Sequence, residues 1–365
     1  MRPSPLGRSI VVGLVAALVA ACGQTAPTPS ASSAAGASAA PTPPASAARS
    51  STAPTPVPSG PATKLTVGLG FIPSVQFAQF YLADQAGYYE DEHLDVTFQN
   101  EIDANLVPKV GQGQVDIGMS DGTSVIPAVS QGIPIKYIAT VYGQFPSIVF
   151  GKESSGITSA ANLKGKKLGI PGRYGSSWIM LQALLASADL TPDDLQIVEY
   201  PDFGQGAAVS QGAVDAATGF ANNEPVQLEL AGTPAFVLHV DDVTPLPGPG
   251  LIVSDATAAA KHDAVAGFVR ATLRAMGDIV ANPSTGLDAA IAAVPELAQD
   301  RATQKAILDA TIEVWQRKGA AGAADLGTID RDGWQASVDY MTTLGLVPNP
   351  VTVDQLVSEE FLPGR

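Results

Sequence analysis

From Lys64 onward the apolar positions alternate between short strand-like runs and helical spacing. Lys64-Leu-Thr-Val-Gly-Leu69 reads as a first strand that opens into the loop Gly70-Phe-Ile-Pro-Ser74. Phe77, Phe80, Tyr81 and Leu82 then recur at helical spacing, which predicts a helix over 75–87 closed by Gly87. Leu94–Phe98 reads as a second strand, Asn105–Gly111 as a helix and Val115–Met119 as a third strand. Helix and strand in this rhythm predict an α/β protein with a largely parallel sheet.

The pattern recurs further along the chain. Lys167-Leu-Gly-Ile170 echoes Lys64-Leu-Thr-Val67. Val110-Gly-Gln-Gly-Gln-Val-Asp116 is matched by Val209-Ser-Gln-Gly-Ala-Val-Asp215. Two echoes in the same order argue for two lobes built alike. Pro146–Phe150 and Pro249–Val253 are β-branched runs at either end of the second copy, and they read as two crossover strands between the lobes. This assigns 64–148 and 252–365 to lobe 1 and 149–251 to lobe 2, with a central cleft of the kind that takes small ligands. After Val253 the spacing is helical over 263–281, 285–293, 301–318 and 331–344. The stripes Phe268, Leu273, Met276 and Ile307, Ile312, Trp315 suit packing on lobe 1.

The first 63 residues follow another logic. Arg2 and Arg8 precede the apolar run Ile10–Ala21, which ends in small residues directly before Cys22, the sole cysteine. This reads as a lipoprotein signal over 1–21, with Cys22 as the lipidated mature N-terminus. The run is shorter than the roughly 20 residues of a spanning helix. Residues 22–63 hold nine prolines and, after the cysteine, Arg49 as the only charge, so they read as a disordered Pro/Ala/Ser/Thr tether. The expected location is the extracytoplasmic face of the cell membrane, held by the lipid. Removing the signal leaves 18 basic against 35 acidic residues, a balance of −17 that opposes nucleic-acid partners.

Chemistry is sparse. His93, His239 and His262 fall in separate elements, with no metal-binding spacing, and read as solvated surface residues. No Gly-x-Ser-x-Gly elbow is present, and Gly68-Leu-Gly-Phe-Ile-Pro73 lacks the last glycine of a dinucleotide fingerprint. No catalytic residue, metal or cofactor is assigned. Instead, five loops at strand ends are richer in polar and aromatic groups than turns require. They supply Phe71, Ser74 and Gln76; Asp121 and Thr123; Tyr142, Gln144 and Phe145; Arg173, Tyr174, Ser176, Ser177 and Trp178, ahead of a helix over 179–188; and Asn222 and Glu224. Each has a plain alternative: Asp121 or Ser176 as a helix cap, Asn222 as a turn former. The aromatic residues offer ring faces for stacking. Glu224, Asn222 and Asp121 offer acceptors, Gln76 and Ser176 donors, and Arg173 is the only cation.

Several of these segments together resemble a family. Phe71-Ile-Pro-Ser74, Gly87-Tyr-Tyr89, Gly113-Gln-Val-Asp-Ile-Gly118, Leu163-Lys-Gly-Lys-Lys-Leu-Gly169 and Asn223-Glu-Pro225 are similar to the thiamine-pyrimidine-synthase-like solute-binding proteins. The resemblance covers roughly 65–255. It implies a type 2 periplasmic binding protein fold and a monomer that delivers a small molecule to the permease and ATPase subunits of an ABC importer. It also implies a flat heteroaromatic vitamin as ligand, riboflavin before a thiamine pyrimidine. Eukaryotic-type relatives that synthesise the pyrimidine carry an active-site histidine and a cysteine-containing iron segment. Neither occurs in the matching segments here, which implies binding rather than catalysis. The wider group also includes sulfonate and nitrate binders.

Overall fold

The computed structural model describes residues 60–100, 105–316 and 325–364, all within one unit, Thr55–Arg365. Cys22, the signal and the tether lie outside the described residues up to Gly60.

The first half begins with β1 (Thr63–Gly68), a 3-10 turn (Val75–Phe77), α1 (Ala78–Gln85), α2 (Tyr88–Asp91) and β2 (Leu94–Gln99). It continues through α3 (Leu106–Gly111), β3 (Ile117–Ser120), α4 (Gly122–Ser130) and β4 (Ile135–Thr140). The chain then enters a second sheet through β5 (Ser147–Lys152), β6 (Lys167–Ile170), α5 (Gly175–Ala186), β7 (Gln196–Glu199) and α6 (Gln205–Gln211). That sheet is completed by β8 (Ala216–Phe220), α7 (Glu224–Leu230) and β9 (Ala235–His239). It returns as β10 (Gly250–Ser254) and ends in α8 (Asp255–Ala260), α9 (His262–Ala281), α10 (Pro283–Ala293), α11 (Arg301–Trp315), α12 (Arg331–Thr343) and α13 (Val353–Leu356).

The two sheets have the same plan, with orders β2-β1-β3-β10-β4 and β7-β6-β8-β5-β9. Within each, only the fourth-listed strand runs antiparallel. That strand is β5 in the second sheet and β10 in the first, so each is contributed from across the molecule. These are the two crossover runs of the sequence, found where the β-branched pattern placed them. The Val-Asp echoes also have one physical meaning. Asp116 Oδ2 accepts from the Thr66 amide at 2.9 Å, and Asp215 Oδ2 accepts from the Lys167 amide at 2.8 Å, each tying its loop to the neighbouring strand.

One core cluster joins β1 and α1 to α9, α10 and α11 through Val67, Phe80, Phe268, Met276 and Trp315, as the helical stripes predict. Phe268 stacks on Tyr89 with ring centroids 5.0 Å apart. Among the described residues no helix is long and apolar enough to cross a membrane.

Several boundaries differ from the sequence reading. The helix expected over 75–87 opens as a 3-10 turn capped by Ser74, and Gly87 ends it at φ +74. The helix expected from Ile179 starts at Gly175, because that glycine turns the chain at φ +66 and leaves Tyr174 as the N-cap. Helix α11 ends at Trp315, and Lys318 lies outside the described residues. His93 and His239 are half-buried rather than solvated, whereas His262 is exposed. His93 sits in a left-handed turn at φ +60 with a buried, unpartnered Nε2, and His262 packs on Phe361.

Candidate functional site

Strand C-terminal ends of both sheets feed the loops that carry the predicted site residues, but the loops use those residues very differently. Asn222, directly after β8, is fully buried. Its Nδ2 donates to Gln76 Oε1 at 3.0 Å and to Thr311 Oγ1 at 2.9 Å. Gln76 belongs to the turn after β1 and Thr311 to α11, so one amide from the second sheet's loop ties two elements of the first core. Gln76 in turn donates to Ser74 Oγ at 3.3 Å. The Tyr142 hydroxyl lies beside Asn222. Burial pushes its pKa well above the ordinary phenol value, and the neighbouring amide offsets part of that.

This junction is not saturated. Asn222 Oδ1 has no hydrogen-bond partner despite the nearby Tyr142 hydroxyl. Gln79, fully buried one helical step beyond Gln76, leaves both its amide oxygen and its amide nitrogen unpartnered. Trp315 Nε1, one turn past Thr311 on α11, is likewise free of a partner. Unpaired buried polar atoms cost about 1–3 kcal/mol each, so each of these is an exception to the usual pairing of buried polar groups.

A second polar group lies where β5 begins. The Ser147 and Ser176 hydroxyls are 3.5 Å apart, the first at the start of β5 and the second in the first turn of α5. Thr218 pairs opposite Val149, which places it on the same sheet face as Ser147, and its buried Oγ1 has no partner. The first-turn amides of α5 add donors at the positive end of a 12-residue helix. Ser177 shares that turn and is half-buried.

Aromatic contact between the lobes comes from Phe71, after β1, and Phe203, after β7. Their rings meet edge to face with centroids 6.2 Å apart. Sequence reading missed Phe203, Ser147, Thr218, Thr311 and Gln79. No sequence pattern singles out Phe203, which shares the turn Tyr200-Pro-Asp-Phe-Gly204 with a second aromatic.

Other predicted residues are committed elsewhere. Asp121 Oδ1 accepts from the Ser124 amide at 3.1 Å and from Thr123 Oγ1 at 2.6 Å, so the pair caps α4. Burial raises the Asp121 pKa, and these donors lower it part of the way back. Gln144 donates to the Glu313 and Gln316 carbonyls and closes the end of α11. Phe145 is buried in the second sheet's core. Arg173 pairs with Glu199 at 3.2 Å and lies 5.3 Å over the Trp178 ring. Tyr174 is 61% exposed. Glu224 Oε2 accepts from the Phe220 amide at 2.8 Å and packs against Gly206 and Gly219. Burial raises its pKa as well. Among the described residues no group of His, Cys, Asp or Glu is arranged to hold a metal ion.

Comparison with known proteins gives this geometry a lineage. A riboflavin-binding protein of Chloroflexus aurantiacus is 35% identical over 357 residues, 96% of either chain. A 4-amino-5-hydroxymethyl-2-methylpyrimidine phosphate synthase of Legionella pneumophila is 27% identical over 311 residues, 82% of this chain and 93% of that one. The periplasmic aliphatic sulphonate binding protein of Escherichia coli superimposes with a TM-score of 0.64 at 18% identity, over 81% of this chain and 97% of that one, which shows a shared fold. The NMT1/THI5-like family model matches residues 74–285, and the chain belongs to that family.

Proposed function

We propose that this chain is an extracytoplasmic solute-binding lipoprotein of an ABC importer. It captures a flat heteroaromatic vitamin, riboflavin before a thiamine pyrimidine, and delivers it to the permease. The observation that carries this reading is the Asn222 junction. A fully buried amide from one lobe is hydrogen-bonded into the other, its own Oδ1 is unpartnered, and the elements it ties carry the unpartnered Gln79 amide and Trp315 Nε1 one turn beyond its partners.

Neutral amides and an indole N–H suit a neutral ring edge that both donates and accepts, such as a pyrimidine-type imide. Ser147, Ser176 and Thr218 match a polyhydroxyl chain such as ribityl. The more similar of the two relatives above is a binding protein, which supports capture over synthesis. Cys22 would anchor the mature monomer to the membrane through its lipid, with 22–63 as the tether.

The test is titration of purified protein with riboflavin, read by quenching of flavin fluorescence, and with a thiamine pyrimidine, read by calorimetry. A neutral ligand makes no screened ion pair, so affinity should change less than about twofold between low and high salt. Arg173→Ala should leave affinity intact, because that guanidinium is already held by Glu199 and Trp178. A steep salt dependence together with loss of binding in Arg173→Ala would instead indicate an anionic ligand. Failure of wild type to bind either compound would remove the vitamin reading.

A further inference from the structure

Phe203 has a backbone that its side chain does not favour. It sits at φ +60, the left-handed region that bulky residues rarely adopt. The turn holds it there: its amide donates to the Tyr200 carbonyl at 3.0 Å, and the Gly204 amide donates to Asp202 Oδ1 at 3.2 Å. Core burial does not explain the strain, because Phe203 is 42% exposed. Its recorded ring contact is with Phe71 across the cleft, edge to face at 6.2 Å with planes 78° apart. A strained, exposed aromatic whose ring partner lies on the opposite lobe is better explained by function than by folding.

We infer that Phe203 is the second-lobe jaw of an aromatic clamp whose first-lobe jaw is Phe71, and that a planar aromatic ligand inserts between the two rings. The inference rests on the reading above that the ligand is a flat heterocycle. A stacked layer needs about 3.5 Å on each side, so a sandwiched ring requires centroids about 7 Å apart. The present 6.2 Å is short of that by less than an ångström, a change that rotation of one ring from edge-on to face-on and a slight opening would supply. The edge-to-face pair leaves no gap between its rings, and it marks where the two lobes bring a pair of aromatic side chains together. The left-handed backbone is what aims the Phe203 ring across the cleft. Because the jaws belong to different lobes, a ligand stacked on both favours the closed arrangement through contacts absent from either lobe alone. Aliphatic solutes gain nothing from such a slot, so the clamp selects for flat π-systems.

Wild type, Phe203→Asn, Phe203→Leu and Phe71→Leu are titrated with riboflavin, with lumichrome (its ring system without the ribityl chain) and with a thiamine pyrimidine, and the unliganded thermal midpoint of each protein is recorded. Asn tolerates the left-handed turn, so Phe203→Asn should keep or raise the midpoint while weakening flavin affinity about tenfold or more. Phe203→Leu keeps apolar bulk but loses the π-face, and should weaken flavin while leaving the fold intact. The Phe71→Leu and Phe203→Leu losses should be less than additive in the double variant, since one ligand ring touches both. Wild-type binding that persists unchanged in both Phe203 variants would overturn the clamp and leave the vitamin reading standing. Binding of lumichrome alone, lost in the Phe203 variants, would keep the clamp and remove the vitamin. No binding of any planar heterocycle by wild type would overturn both.

Discussion

In the first sheet, β3 runs into Asp121, which spends its carboxylate on the start of its own following helix through Thr123 and Ser124. In the second sheet, the equivalent strand β8 runs into Asn222, which ignores its own helix and reaches into the other lobe. The two sheets share strand order, crossover pattern and the Val-Asp lock on the neighbouring strand. What differs is the chemistry of the loop that follows the third strand, which carries Asp121 in one sheet and Asn222 in the other. A carboxylate there is costly to bury and is paired locally, whereas a neutral amide can be buried across an interface and still offer an unpaired oxygen. The duplicated scaffold carries stability in both halves, and the asymmetry at strand ends is where a ligand site can be built.

The largest test of that asymmetry is Asn222→Leu. The variant strips Gln76 Oε1 and Thr311 Oγ1 of a buried donor and places an apolar group where the two lobes meet. Riboflavin affinity is expected to fall roughly 100-fold, the equivalent of one or two unpaired buried groups in the closed state. Fluorescence quenching measures it, with circular dichroism to establish that the variant is folded. Affinity within threefold of wild type would mean that Asn222 is a structural tie and that recognition lies elsewhere in the cleft.

A smaller effect distinguishes the twin aspartates. Asp116 accepts from the Thr66 amide and also pairs with Lys261 Nζ at 2.7 Å, in a half-buried setting. Asp215 accepts from the Lys167 amide in a more exposed position. Asp116→Ala should therefore cost about 2 kcal/mol of unfolding free energy, and Asp215→Ala about 1 kcal/mol or less, because exposed charge-assisted bonds are screened. Urea unfolding midpoints at constant slope measure both. Equal losses would show that Lys261 adds nothing to the lock and that the two lobes are held alike.

The repeated scaffold was legible because its signals are local. Strand runs, helical stripes and the Val-Asp echo each occupy fewer than ten residues, and the β-branched crossovers announce themselves by composition. The site was legible only in outline. The sequence offers Gln76 and Asn222 separately, as candidate partners of a ligand, but their bond to each other spans 146 positions, and Thr311 lies 89 positions from Asn222. No periodicity links such residues. Asp121 shows the converse difficulty: a carboxylate at a helix start has the same sequence signature whether it caps or recognises, and the 2.6 Å bond to Thr123 resolves it. Phe203 was invisible because an aromatic in a short loop belongs to no pattern until the fold brings Phe71 to it.

Glu224 gives the smallest and most diagnostic effect, because it tests whether the second lobe's acid behaves like Asp121 or like Asn222. Its carboxylate accepts from the Phe220 amide beneath Gly206 and Gly219, and burial raises its pKa, with the amide hydrogen bond lowering it only in part. A raised folded-state pKa means that the folded protein holds this proton more tightly than the unfolded chain. The charged form then opposes folding: the penalty is full above the folded pKa and fades as pH falls through it toward the ordinary value of 4.5. Glu224→Gln removes the charge and retains an oxygen for the Phe220 amide. The variant should be more stable than wild type at neutral pH by about 1 kcal/mol, or about 2–4 °C in thermal midpoint. That advantage should shrink as the buffer is taken down through the carboxylate range and vanish below it. Riboflavin affinity should stay within twofold, because the carboxylate is engaged with its own backbone rather than with the junction. A gain in stability with unchanged binding places Glu224 beside Asp121 as a carboxylate engaged within its own loop. A tenfold loss of affinity at pH 7 would instead place it with Asn222, as a second acceptor that the lobe supplies to the ligand.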